Sequence, residues 1–286
     1  MNHHPAPPHA EPFFLKAGTG ARFCVFHAAA GACRGAFLYV HPFAEEMNKA
    51  RRMAALQARA MAAQGYAVLQ IDLYGCGDSS GDFADARWEI WLDDLAHGAQ
   101  WLRERLGGAL EQEIGLWGLR LGALLALDYG RQAAQPPSVL LLWQAVTNGA
   151  NFMTQFLRLK LANQMLAEGQ EKNGGTAALR ATLAAGEPLE IAGYTLAPAL
   201  AQSIEALDAA KFAPPPCPLH WFEIVAEEGR PLPPAAARVL QGWQEGGELS
   251  AVTVAGQPFW ATQEISECPA LLDATIAALK EACHAA

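Results

Sequence analysis

The sequence predicts an α/β fold in which a mostly parallel central sheet is flanked by helices. Two observations carry this. Short runs that are apolar at nearly every position, as strands buried on both faces must be, recur along the chain. Between them lie segments whose apolar residues repeat at three- and four-residue intervals, the period of an amphipathic helix.

The elements follow in order. Arg22–Ala28 and Ala36–His41 are two short apolar runs, the second apolar enough for burial on both faces. Met53, Leu56, Ala60 and Ala63 then share a helix face, and Gly65 stands where a C′ glycine ends a helix. Tyr66–Tyr74 reads as the next strand, completing a right-handed βαβ unit. Trp88–Leu106 reads as a helix, Ile114–Trp117 as a strand, Gly122–Gly130 as a helix and Val139–Trp143 as a doubly buried strand. The alternation then stops. Residues 149–212 read as a helical cap insertion, with helical stretches at Asn151–Glu168 and Ala197–Ala209. The Pro-rich run from Pro214 to Pro218 marks the return to strands at His220–Val225 and Leu249–Ala255, and Pro269–Ala285 closes the chain as a helix. The expected organisation is a disordered tail over 1–11, a core split into 12–148 and 213–286, and the cap between its two parts.

Composition narrows the function classes. Lys and Arg number 20 against 29 Asp and Glu, a net charge of −9, which disfavours nucleic acid or an anionic membrane as partner. No apolar run reaches the ~20 residues of a membrane span, and the first dozen residues lack the apolar core of a signal peptide. The six cysteines stand singly, without zinc-like spacing. Scattered thiols suit a reducing cytoplasm. No metal or cofactor is expected, a small-molecule partner is, and a homo-oligomer is left open.

One constellation carries chemistry. Leu116-Trp-Gly-Leu-Arg-Leu-Gly122 lies between a strand and a helix, and Gly118 and Gly122 flank Arg120 with the spacing of a nucleophile elbow. Such a turn is too tight for side chains at the flanking positions. It lifts its central residue over the C-terminal edge of the sheet, where open α/β sheets bind ligands.

This elbow, the Asp72–Ser79 turn and the late insertion resemble the α/β-hydrolase superfamily. More narrowly, the strings His41–Lys49, Gly75–Asp78, Leu116–Gly122 and Pro258–Gln263 resemble the exosortase A system-associated hydrolases of type 2. The resemblance implies an α/β-hydrolase fold and a link to bacterial exopolysaccharide clusters. It also exposes a departure. Arg120 stands where active members carry the nucleophile, and a guanidinium has five donors and no electron pair to attack with. Phe259 stands at the place of the catalytic histidine, and the next His downstream is His284. Glu227 or Glu228 fills the acid position, but a carboxylate alone makes no triad.

Backbone donors survive such losses. Leu121, after the elbow residue, and Phe43, after the N–H-less Pro42, stand where oxyanion-hole N–H groups come from. Three readings follow. Arg120, Phe43 and Leu121 polarise a carbonyl while Glu45, Glu46, Glu227 or Glu228 activates water, giving a hydrolase of an ester, thioester or amide. Alternatively, Arg120 binds a carboxylate or phosphate ester, or a protein partner, in a catalytically silent fold. In the third reading Arg120 pairs with a glutamate and plugs an abandoned site. Cys76, Ser79 and Ser80 read as turn residues, and His41 as a support for its loop.

Overall fold

The computed structural model describes residues 10–108, 113–168, 174–244 and 246–282. Its main sheet has eight strands. In chain order these are β1 (Ala10–Lys16), β2 (Ala21–His27), β3 (Gly35–Val40), β4 (Tyr66–Ile71), β5 (Ile114–Leu119), β6 (Leu140–Trp143), β9 (Leu219–Val225) and β10 (Leu249–Ala255). Across the sheet they run β1-β2-β4-β3-β5-β6-β9-β10. The β1–β2 and β2–β4 pairs are antiparallel and the remainder parallel. This is the mostly parallel α/β sheet that the pattern predicts, in the α/β-hydrolase arrangement that the resemblance implies.

The two strands expected to be doubly buried, β3 and β6, are buried at every residue, and so is β5. Helix α1 (Glu45–Ala63) and the terminal helix α8 (Pro269–Ala282) cover one face. Helices α2 (Trp88–Leu106), α3 (Leu121–Gln132) and α7 (Pro234–Trp243) cover the other. Among the described residues no helix is long and apolar enough to cross a membrane, and the five described cysteines are free.

Three features differ from expectation. Strand β1 starts at Ala10, inside the segment expected as a disordered tail; residues 1–9 lie outside the described residues. Its Pro12 is tolerated because β1 is an edge strand, where a missing donor breaks no inner ladder. Helix α7 was not assigned from sequence, although Ala236, Val239, Leu240 and Trp243 mark one buried face.

The cap is the third difference. Besides α4 (Gly149–Glu168), α5 (Gly175–Ala184) and α6 (Pro198–Glu205), it holds a hairpin of β7 (Leu189–Ile191) and β8 (Tyr194–Leu196). Its turn, Ala192-Gly193, has φ of 50° and 84°, the signs of a type I′ turn without the usual Asn or Asp. The hairpin seats Tyr194 on Phe83, ring centroids 5.1 Å apart. Gly149 lets α4 cross α6 closely, since a Cβ there would fall 1.7 Å from the Ile204 carbonyl oxygen.

Candidate functional site

The site begins with the elbow. At the end of β5 the chain turns into α3 through Arg120, with φ 57° and ψ −119°, a conformation side chains rarely adopt. The flanking glycines make the turn sterically feasible. A Cβ on Gly118 would lie 2.5 Å from Ala123 Cα, and one on Gly122 would lie 2.3 Å from the Val40 carbonyl oxygen. Backbone bonds tie the turn to the next strand: Arg120 N–H donates to Trp143 O at 3.0 Å, and Val146 N–H donates to Arg120 O at 3.1 Å.

The guanidinium then meets Glu46, in the first turn of α1. Nε and Nη2 both donate to the same oxygen, Oε1, at 3.3 Å. The other oxygen, Oε2, is buried with no hydrogen-bond partner. Burial raises the proton affinity of Glu46, against the opposing pull of Arg120. The Arg120 Cζ also lies 5.4 Å from the centroid of Trp260, within cation–π range.

Beside this pair is a cavity of about 270 Å³. Phe152, Phe156 and Leu159 of the cap helix α4 give it an apolar wall, and Glu45, Lys49 and Trp260 complete the rim. Glu45 and Lys49 approach to 3.9 Å.

Phe43 and Leu121 sit at the ends of β3 and β5 as expected. Among the described residues, neither backbone N–H donates to a protein acceptor. The Phe43 ring is enclosed by Phe83, Phe152, Phe156 and Trp91 at centroid distances of 5.2, 5.6, 5.0 and 6.1 Å. Phe43 and Leu121 together line a void of only about 10 Å³, while Phe43 also lines the larger cavity beside Arg120.

Glu227 and Glu228 require correction. Both are exposed and neither lines the Arg120 cavity; Glu227 pairs with Arg230 at 3.4 Å. The carboxylate that Arg120 feels from this part of the chain is Glu223, inside β9. Register explains its place. Leu119, Trp143 and Phe222 form the last paired row across β5, β6 and β9, and Glu223 follows that row on β9 as Arg120 follows it after β5. Glu223 is 3% exposed and accepts a 2.6 Å hydrogen bond from Trp221 Nε1. Sequence reasoning sought the acid in the loop after the strand, and an isolated Glu in an apolar run carries no further mark.

Burial pushes the Glu223 carboxyl up to about 7, opposed by the Trp221 hydrogen bond and the Arg120 charge. The folded state therefore holds a proton that the unfolded chain releases above its ordinary value of 4.5. Its contribution is fully stabilising below that value and is lost as pH rises through about 7. Glu223→Gln removes the titration. Relative to this variant, the wild type is expected to lose up to about 3 kcal/mol of stability across that window, measured by denaturant melts at successive pH values.

The histidines hold structure. His41 Nδ1 donates to Pro42 O at 2.7 Å and its Nε2 accepts from Leu73 N–H at 3.2 Å, so it ties the loop after β3 to the turn after β4. Phe259 is fully buried, packed between Trp143 and Trp260 at 6.2 and 5.0 Å. A serine does face an imidazole elsewhere: Ser250 Oγ lies 2.6 Å from His220 Nδ1. These residues pair at the N-terminal ends of β9 and β10, whereas the elbow opens at the C-terminal ends of the parallel strands.

The Gly-rich turn after β4 is likewise structural. Ser79 Oγ donates to Asp72 O at 2.5 Å and accepts from Phe23 N–H at 2.9 Å, and Ser80 Oγ accepts from Ala21 N–H at 3.0 Å. Burial pushes the Cys76 thiol far up, and the charges of Asp72 and Asp94 act the same way. Among the described residues, no group of three His, Cys, Asp or Glu side chains is arranged to hold a metal ion.

Comparison with known proteins places this geometry. The chain is similar to Est1E from Butyrivibrio proteoclasticus, solved with ferulic acid bound, at 12% identity and TM-score 0.63, covering 94% of this chain and 98% of that one. It is also similar to a highly thermostable carboxyl esterase from Bacillus coagulans, at 13% identity and TM-score 0.61, covering 95% and 98%. A proline iminopeptidase from Mycobacterium smegmatis gives 13% identity and TM-score 0.59, covering 94% and 97%. At such identities the likeness is one of fold. No curated protein matches the chain at the sequence level. Residues 31–205, well over half the chain and including the elbow and most of the cap, match the family described as serine aminopeptidase, S33. On that match, the chain belongs to the serine aminopeptidase S33 family of α/β-hydrolase-fold proteins.

Proposed function

We propose that this chain is a hydrolase-fold protein of the exosortase-associated type that lacks the covalent acyl-enzyme route and holds a small anionic molecule at Arg120. The ligand class is a carboxylate or phosphate ester, and its link to exopolysaccharide metabolism rests on the sequence resemblance. The observation that carries the reading is the guanidinium at the elbow, beside a 270 Å³ cavity and bonded to a single glutamate oxygen. Its 3.3 Å contacts are longer than the ~2.7–2.9 Å of strong charge-assisted bonds, so a bidentate oxyanion competes well for it. The apolar wall of Phe152, Phe156 and Leu159 receives the rest of the molecule.

Calorimetric titration with hexanoate and with hexyl phosphate tests this. Saturable binding is expected, weakened about tenfold or more in Arg120→Gln, with p-nitrophenyl ester hydrolysis no faster than in buffer. Unchanged binding in Arg120→Gln sinks the proposal. One observation favours a second reading: Glu46 lines the cavity beside Arg120 and burial raises its proton affinity, the attributes of a base for water. In that case ester turnover is measurable and disappears in Glu46→Gln.

A further inference from the structure

The main sheet ends in two edge strands, β1 and β10, and they meet solvent differently. An edge carries a row of unpaired N–H and C=O groups that another strand can join, and folds blunt such rows with charge, proline or a bulge. Strand β1 is blunted by Glu11, Pro12 and Lys16. Strand β10 reads Leu-Ser-Ala-Val-Thr-Val-Ala, with no charge and no proline. It keeps unbroken parallel register with β9 from Leu249↔Leu219 to Ala255↔Val225, so no bulge turns its edge aside.

Hydrogen bonds at the two ends of β10 fix which backbone groups face outward. Leu219 N–H donates to Glu248 O at 2.9 Å just before the strand, and Gly256 N–H donates to Val225 O at 3.0 Å just after it. Even-numbered residues therefore bond to β9. Alternation along the strand leaves the N–H and C=O of Leu249, Ala251, Thr253 and Ala255 pointing out of the sheet. Among the described residues the only hydrogen-bonding group against this row is the Cys268 thiol, 4.0 Å from Ala255 O. The side chains of Ala251, Val252 and Ala255 are exposed as well.

We infer that β10 is the self-association edge of this protein: two chains join β10 to β10, antiparallel, across a two-fold axis at Val252. Antiparallel partners meet outward group to outward group. This axis satisfies that, pairing Ala251 with Thr253 of the second copy and Leu249 with its Ala255. The register supplies about six to eight ladder bonds, within the ~5–15 of an ordinary protein interface. Val252, 37% exposed in one chain, lies against its own counterpart. Charge agrees. Glu248 falls opposite Gly256 of the second copy, so two chains of net charge −9 meet along β10 without opposed carboxylates.

Light scattering on the full chain over about 1–100 µM tests this, and a concentration-dependent dimer is expected. Thr253→Pro removes an outward N–H, a loss that an edge strand tolerates within one chain. Val252→Lys sets two cations face to face across the axis. Each should weaken the dimer about fivefold or more, with urea midpoints showing that the variants are folded. If Thr253→Pro does not fold, position 252 decides alone. Val252→Glu should behave as Val252→Lys does, and an equimolar mixture of the two should recover dimers that native mass spectrometry finds to be mixed. Only a position that faces itself turns repulsion into attraction in this way. A wild type monomeric throughout, open-ended assembly, full dimer affinity in Val252→Lys, or no recovery in the mixture would overturn the inference.

Discussion

Replacing Gly122 by alanine is expected to cost at least about 3 kcal/mol, the range of severe overpacking, and to lower the yield of folded protein sharply. The added methyl would fall 2.3 Å from the Val40 carbonyl oxygen and 2.4 Å from that of His41. Both are backbone atoms at the end of β3, so no side-chain rotation relieves the clash. Either α3 lifts from the sheet or the loop after β3 moves, and both displace Arg120 and Phe43. Gly130→Ala, in the same helix, is the control: its Cβ would meet side-chain atoms of Pro137 at 3.4 Å and Leu140 at 4.0 Å, ordinary van der Waals contacts. There the gain in helix propensity, up to about 1 kcal/mol, should leave stability equal or higher. Urea midpoints for the two variants measure the contrast, and a Gly122→Ala variant as stable as Gly130→Ala would show that the elbow tolerates side chains.

The second large effect concerns Arg22 and Asp94, each 1% exposed and joined at 2.6 Å. Asp94 also accepts the Tyr74 backbone N–H at 2.7 Å, and the Arg22 Cζ sits 4.6 Å from the centroid of the Tyr74 ring. The carboxylate therefore joins β2, the turn after β4 and α2 at a single point. Asp94→Ala leaves a guanidinium buried without its counter-charge, for which a loss of about 3–5 kcal/mol is expected. Burial raises the Asp94 carboxyl to about 6, so the ion pair is complete above that pH. The Arg22→Met, Asp94→Leu double variant should recover most of the loss, because removing both charges removes the desolvation cost as well. Thermal melts of the single and double variants decide it; a double variant no better than the single would mean that the hydrogen bond to Tyr74, rather than the charge, holds this corner.

The reach of the sequence differs from element to element. The elbow was legible because two glycines between a strand and a helix have a steric cause that local spacing reveals, and Arg120 does occupy the left-handed turn. Glu46 was legible only as one of four carboxylates. Nothing local distinguishes it from Glu45 beyond one step around α1, which turns Glu46 to Arg120 and Glu45 to Lys49. Glu223 was missed because its role comes from register across three strands rather than from neighbours in the chain. The cap hairpin was missed because Ala-Gly gives a weak turn signal and strands of three residues show no period.

By itself the sequence determined the class of fold and the chemical identity of the elbow residue. Apolar periodicity and glycine sterics are local constraints, and they act on any chain that carries them. What the tertiary structure decided is which groups share a space: Arg120 with Glu46 rather than Glu227, and the Phe43 ring against Phe152 and Phe156 of helix α4. Those pairings depend on strand register and on where helices cross. Both are fixed by packing between segments distant in the chain, so no window of residues contains them.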